Sequence, residues 1–72
     1  MNNLLSLYNV FNTVAATGSI SQAAKVLYVS QPAISKAITN LEECLNQVLF
    51  VRNSRGVKLT EEGQILYKYT KA

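Results

Sequence analysis

Histidine and aspartate are both missing from this chain of 72 residues, and cysteine and proline occur once each. Each gap excludes something. With no histidine and with Cys44 alone, a protein-only zinc site lacks its usual ligands and no intrachain disulfide can close. With neither histidine nor aspartate, no nucleophile finds a base beside it. The carboxylates come only as adjacent pairs, Glu42 with Glu43 and Glu61 with Glu62. Neighbours on a helix point about 100° apart, so neither pair converges on a substrate, and both read as solvated faces or helix-end charges. No enzyme, metal or cofactor is expected. Long hydrophobic runs are missing too: nothing approaches the ~18 apolar residues of a membrane span, and the N-terminus lacks the basic, continuously apolar character of a signal peptide. The expectation is a soluble protein of the cytoplasm with no membrane partner. A chain this short can hold one small core, near the lower limit for a fold without staples.

Charge is scarce at one end. The first 24 residues carry no charged side chain, and all seven Lys and Arg lie at or after Lys25. Against four Glu they leave a net charge of +3, a mild indication of an anionic partner.

What is present is helical periodicity. Apolar residues at 4, 7, 8, 11, 14 and 15 follow the template of an amphipathic helix, which Gly18 ends. Ser19 can cap a second, short helix with Ala23, Ala24 and Leu27 on its thin apolar face. Ser30 reads as the cap of a third, with Gln31 and Pro32 in its first turn, where a missing amide hydrogen costs nothing. That third helix is expected to run to about Leu45, burying a stripe at 34, 37, 38, 41 and 45. It should end at Asn46, which tolerates the left-handed conformation of a helix stop. Cys44 falls on the core side beside Leu45 and is expected to be an ordinary buried thiol. Val48 to Arg52 and Val57 to Thr60 are β-prone and flank Asn53, Ser54, Arg55 and Gly56, the composition of a small hairpin. Thr60 can cap a fourth helix with Glu61 and Glu62 in its first turn, where negative charge suits the helix dipole. Ile65, Leu66 and Tyr69 form its apolar face. The order is that of a mainly α fold, a helix-turn-helix with a two-stranded wing.

The outer face of the third helix is the best candidate site. At about 100° per residue Pro32, Ser35, Lys36 and Thr39 cluster on one side with Gln31 at its edge, opposite Ile34, Ala37, Leu41 and Leu45. A major groove admits one helix and displays donors, acceptors and thymine methyls. Gln31 suits a bidentate pair with adenine, Pro32 and the Thr39 methyl suit a thymine methyl, and Ser35 suits a base edge or a phosphate. Lys36 suits a guanine edge or the backbone. Any amphipathic helix has a polar outer face, so this face alone does not separate reading from plain solvation. The hairpin adds Arg52, Arg55 and Lys58, three cations within seven residues, with Arg55-Gly56 at a tight tip that fits a narrow minor groove. A solvated loop is the plainer alternative. Glu42 and Glu43, at the far end of the third helix, oppose the dipole and repel phosphate, so the helix is expected to enter a groove N-terminus first.

The run GSISQAAKVLYVSQPAISKAITNLEECL, then LFVR and RGVKLTEEG, resembles the N-terminal DNA-binding domain of LysR-type transcriptional regulators. The motifs are Ala23-Ala24 ahead of Leu27, Val29-Ser30-Gln31-Pro32-Ala33 with Ser35, Leu41-Glu42, Leu49-Phe50 with Arg52, and Leu59-Thr60 followed by Gly63. The resemblance spans Leu4 to the last helix. It implies a winged helix-turn-helix over residues 1–59 and the start of a linker and dimerisation helix over 60–72. It further implies homodimeric binding to an interrupted palindrome of double-stranded DNA in bacterial promoters. Residues matching Gln31, Pro32, Ser35 and Lys36 would meet the major groove, with Thr39 beside them. Those matching Arg52 and Arg55 would serve the wing; apart from the resemblance, Ser30 and Lys58 are expected at the DNA backbone. Ile65, Leu66 and Tyr69 would serve dimerisation. A small-molecule effector belongs to a domain of the full-length family proteins that is expected to be absent from this chain. Three positions depart from the pattern: Lys36 where Arg is usual, which shifts the expected contact from guanine toward phosphate; Asn46 where Gly is usual; and Val51 in place of an acidic residue.

The leading expectation is therefore sequence-specific DNA binding in a transcription regulator. The alternative is a winged-helix module whose third helix or wing docks on a protein, since fold does not fix function.

Overall fold

The computed structural model describes residues 4–71, with side chains from Ser6 onward. The side chain of Leu4, first in the expected apolar stripe, lies outside the described residues, as do residues 1–3 and 72 at the outer ends of the two expected divisions. Four helices and one hairpin follow in the expected order: α1 Leu4–Thr17, α2 Ile20–Leu27, α3 Gln31–Leu45, β1 Phe50–Asn53, β2 Gly56–Leu59 and α4 Glu61–Thr70.

Three of the helices start by the same local device. The hydroxyls of Ser19, Ser30 and Thr60 accept hydrogen bonds from the amides of Gln22, Ala33 and Gly63 at 3.1, 3.2 and 3.0 Å. Each satisfies a first-turn donor that the helix itself cannot. The stops also share a device: Gly18, Tyr28 and Asn46 all take positive φ, at 68°, 59° and 54°. Tyr28, Val29 and Ser30 make the short turn that sets α3 across α2.

The core is continuous through α1. Val10 and Val14 pack with Ala23, Ala24, Ile34 and Ile38, while Leu7 and Phe11 pack with Leu41 and Leu49. The ring of Phe11 lies 5.3 Å from that of Phe50 and 6.2 Å, edge-on, from that of Tyr67. One helix thus touches α3, the hairpin and α4 at once. At its far end α4 is tied back to α1 by a reciprocal pair: Asn12 Nδ2 donates to the Thr70 carbonyl at 2.9 Å, and Thr70 Oγ1 donates to Asn12 Oδ1 at 2.5 Å.

The hairpin is antiparallel, pairing Phe50 with Leu59, Val51 with Lys58, Arg52 with Val57 and Asn53 with Gly56. Its first strand begins at Phe50, later than the expected Val48. Val48 and Leu49 are held from outside the ladder instead. Thr60 Oγ1 donates to the Val48 carbonyl at 2.7 Å and the Thr60 amide donates to the Leu49 carbonyl at 2.9 Å. From the other side Glu42 Oε2 accepts from the amides of Leu49 and Phe50 at 2.7 and 3.3 Å. The hairpin also sits against the α1–α2 junction, where the Val57 amide donates to the Gly18 carbonyl at 3.1 Å. A side chain at Gly56, whose φ is 138°, would overlap that same carbonyl.

Two expectations need correction. Cys44 is exposed, not buried. It lies about 60° round the helix from Leu41, beyond Ala37, at the edge of the stripe and in a last turn left uncovered on that side by the described residues. Glu42 is not merely a solvated or helix-end charge, because its carboxylate holds the two amides that lead into the wing.

Candidate nucleic-acid interface

The predicted reading residues emerge on one surface. Gln31, Pro32, Lys36 and Thr39 are exposed on α3, while Ile34, Ile38 and Leu41 are buried beneath them. The Ser30 cap and the αL stop at Asn46 define both ends of the helix, so its first two turns project from a fixed base. The cap uses Ser30 Oγ only as an acceptor, which leaves its hydroxyl hydrogen available to a phosphate oxygen.

Ser35 is only half-buried, because it faces the wing. Residues seven apart on a helix lie within about 20° of one another, so Ser35 and Glu42 share one flank of α3. Both bond the hairpin: Glu42 takes the amides at its base, and Ser35 Oγ accepts from Arg52 Nη2 at 3.1 Å. A guanidinium has donors and no acceptor, so the direction of that last bond is fixed and the Ser35 O–H is turned elsewhere, free to donate. A small cleft of about 120 Å³ separates wing from helix here, lined among others by Ser35, Thr39, Glu42 and Arg52.

The three cations of the wing do not form one patch. Side chains alternate along a strand, and the register puts Arg52 on the face of Phe50 and Val57, toward α3. Lys58 pairs with Val51 on the opposite, exposed face. Arg55 stands at the tip, its amide donating to Asn53 Oδ1 at 2.8 Å in a side-chain-closed turn. The structure brings Arg52 to α3, leaves Arg55 exposed at the tip and sets Lys58 on the opposite face. Glu42 was missed as a positioning residue; its signal in the sequence was its seven-residue spacing from Ser35.

On α4 the expected apolar face divides. Leu66, with Tyr67, packs on the chain's own core, while Ile65 and Tyr69 remain 53% and 78% exposed. Among the described residues no helix is long and apolar enough to cross a membrane.

Comparison with known proteins places this surface in context. Residues 5–64 match the model for bacterial regulatory helix-turn-helix proteins of the lysR family. The chain is 48% identical over 65 residues to a probable RuBisCO transcriptional regulator of Cyanidioschyzon merolae, covering 90% of this chain and 22% of that protein. It is 45% identical over 62 residues to the nitrogen assimilation regulatory protein nac of Escherichia coli K12, covering 86% and 20%. The chain therefore spans about a fifth of the length of the curated relatives it matches. Among solved structures, the BenM_DBD/catB site 1 DNA complex superposes with a TM-score of 0.89 at 40% identity, over 93% of this chain and 75% of that one.

Proposed function

The chain belongs to the lysR family of bacterial regulatory helix-turn-helix proteins, and from that premise we propose that it is the sequence-reading head of a transcriptional regulator, binding double-stranded DNA. The observation that carries this reading is the exposed first half of α3 standing beside a wing whose Arg52 is hydrogen-bonded to Ser35. A groove-entering helix and a cationic hairpin are thereby joined into one surface. The fold it shares with the BenM domain in complex with catB site 1 DNA supports the same use.

In this reading Gln31 and Ser35 are the base readers, and Pro32 and Thr39 supply apolar contact with thymine methyls. The Arg52 bond leaves Ser35 presenting its hydroxyl hydrogen, so Ser35 favours acceptors on a base edge, such as purine N7, guanine O6 or thymine O4. Lys36, a point charge in place of a rigid fork, contacts phosphate, as do Ser30 and Lys58. Arg55 at the wing tip reaches the minor groove. The exposed Ile65 and Tyr69 of α4, with Leu66 at the edge of that face, serve pairing with a second copy, and the dimer reads an interrupted palindrome. Effector sensing belongs to the remainder of a longer regulator that works in the cytoplasm.

Selection of bound sites from random duplex DNA tests the reading directly. Gln31→Ala should cost about 1–3 kcal/mol on the selected site and little on random duplex, whereas Arg55→Ala should weaken both and lower the salt slope by about one unit. Absence of duplex binding even at low salt would sink the proposal.

A further inference from the structure

Two helices of this chain stop in the left-handed region at nearly the same backbone angles, and they use very different residues. The α3 stop is Asn46 at φ 54°, ψ 44°; the α2 stop is Tyr28 at φ 59°, ψ 43°. Asn enters this region readily because its short amide bonds locally, whereas a bulky aromatic is disfavoured there. Packing does not offset the strain at Tyr28. Tyr28 is 94% exposed, and its side chain makes no hydrogen bond or ring contact with any described residue. The turn is held by the cap itself, whose amide bonds the Ala24 and Lys25 carbonyls, so the fold does not need the ring, which stands free for something outside it.

Its surroundings say what. Tyr28 lies in the turn before α3 and lines one open cleft of about 520 Å³ together with Lys25, Ser30 and Gln31. Lys25 is exposed and has no carboxylate partner among the described residues. The groups facing this cleft from Tyr28 and Lys25 are hydrogen-bond donors, one neutral and one cationic. Phosphate oxygens are acceptors only, so this pair matches a phosphodiester. The position beside Gln31 matters as well, because a backbone contact at that point fixes the depth and register at which the first turn of α3 meets the bases.

We propose that Tyr28 and Lys25 form a phosphate clamp on the strand bordering the groove that α3 enters, with Tyr28 donating its hydroxyl and Lys25 its ammonium to one phosphodiester. The inference rests on the DNA-binding reading above and deepens it. Tyr28 carries no sequence information in this arrangement, since a phosphodiester is the same on every duplex, and its contact is therefore shared by selected and random DNA.

The test compares Tyr28→Phe, Tyr28→Asn and Lys25→Gln with the unaltered chain, on a selected duplex and a random one, across a salt series. Tyr28→Phe should weaken both duplexes about threefold to tenfold without altering the salt slope, since a neutral donor releases no counterion. Lys25→Gln should weaken both and lower the slope by about 0.9, the signature of one neutralised phosphate. The double variant should lose less than the product of the two, because both groups hold the same phosphate. Tyr28→Asn should bind as weakly as Tyr28→Phe yet unfold at a temperature no lower than the unaltered chain. Full affinity of the Tyr28 and Lys25 variants, with the unaltered chain still bound, overturns the clamp and leaves the DNA-binding reading intact. Loss confined to the selected duplex also overturns it, since Tyr28 would then read a base, and a destabilised Tyr28→Asn would show that the ring serves the fold. If the unaltered chain binds neither duplex, the underlying reading fails and the clamp with it.

Discussion

The base of the wing and the reading face of α3 are neighbours built on opposite terms. At the base, Leu49 is fully buried, its amide taken by Glu42 and its carbonyl by Thr60, and Gly63 is packed so closely that a methyl there would overlap the Leu49 carbonyl oxygen. On the reading face, Gln31, Pro32, Lys36 and Thr39 are exposed and their side chains have no hydrogen-bond, ion-pair or ring partner among the described residues. One region tolerates no change of shape and the other costs the fold almost nothing. A chain this small manages two tasks by that division. Rigidity is concentrated where the wing joins the helices, so that the surface itself can be chosen for what it binds.

The largest expected effect comes from breaking the rigid side. Gly63→Ala would ordinarily strengthen a helix, since alanine is the better helix former. Here the added methyl meets backbone and the Leu59 side chain, which cannot both withdraw. A net loss of about 3 kcal/mol is expected. In a domain of this size that lowers the melting temperature by roughly 12–24 °C, read by thermal unfolding. Gln64→Ala, one residue along and exposed, should stay within about 0.5 kcal/mol. A mild Gly63→Ala would mean that the base of the wing is soft and no more rigid than the face of α3 beside it.

A smaller effect is expected from removing the carboxylate at the same joint. Glu42→Ala strips two amides of their acceptor, one of them belonging to the fully buried Leu49, and should cost about 2 kcal/mol in chemical denaturation. Glu42→Gln should cost less, because an amide oxygen still accepts, though without charge assistance. Glu43→Ala, whose side chain is exposed, is the control and should change little. Equal losses at the two glutamates would erase the distinction between a carboxylate that positions the wing and one that is merely solvated.

These two positions also show where sequence reasoning reached and where it stopped. Ser30, Asn46 and Thr60 were legible because a cap or a stop is satisfied within a few residues of itself, and the apolar period of α3 named Ile34, Ile38 and Leu41 as core for the same local reason. The polar residues opposite them follow from that period at once. Glu42, Gly63 and the Gly18–Gly56 contact were not legible, because each depends on an element that arrives later in the chain. Glu42 is an exposed-looking residue until the wing folds back on it, and Gly56 looks like a turn glycine until α1 and α2 bring Gly18 beneath it. Cys44 failed for the complementary reason: the period reads as putting it on the core side beside Leu45, but it falls at the edge of the stripe, which nothing among the described residues covers. In the wing, composition gave three cations, and only the strand register separated Arg52 from Lys58.

The smallest expected effect lies on the line between the two regions, at the bond from Arg52 to Ser35. Both partners are near solvent, so the bond should add only about 0.5 kcal/mol to stability, and neither Ser35→Ala nor Arg52→Ala should move the melting temperature by more than a few degrees. Its consequence should show in base choice instead. With Arg52 in place the Ser35 oxygen is an acceptor on its inner side and its hydrogen is presented outward; without it the hydroxyl rotates freely and can accept from adenine or cytosine amino groups as well. Site selection with Arg52→Ala should therefore relax the preference at the base facing Ser35, beyond the uniform loss of affinity that follows from removing a cation. In the Ser35→Ala background the same Arg52→Ala change should leave that preference where it already is. A double-mutant cycle run base by base measures this coupling. If the two substitutions prove additive at every base, the wing and the reading face are independent surfaces, and the contact between them in the free protein does not govern recognition.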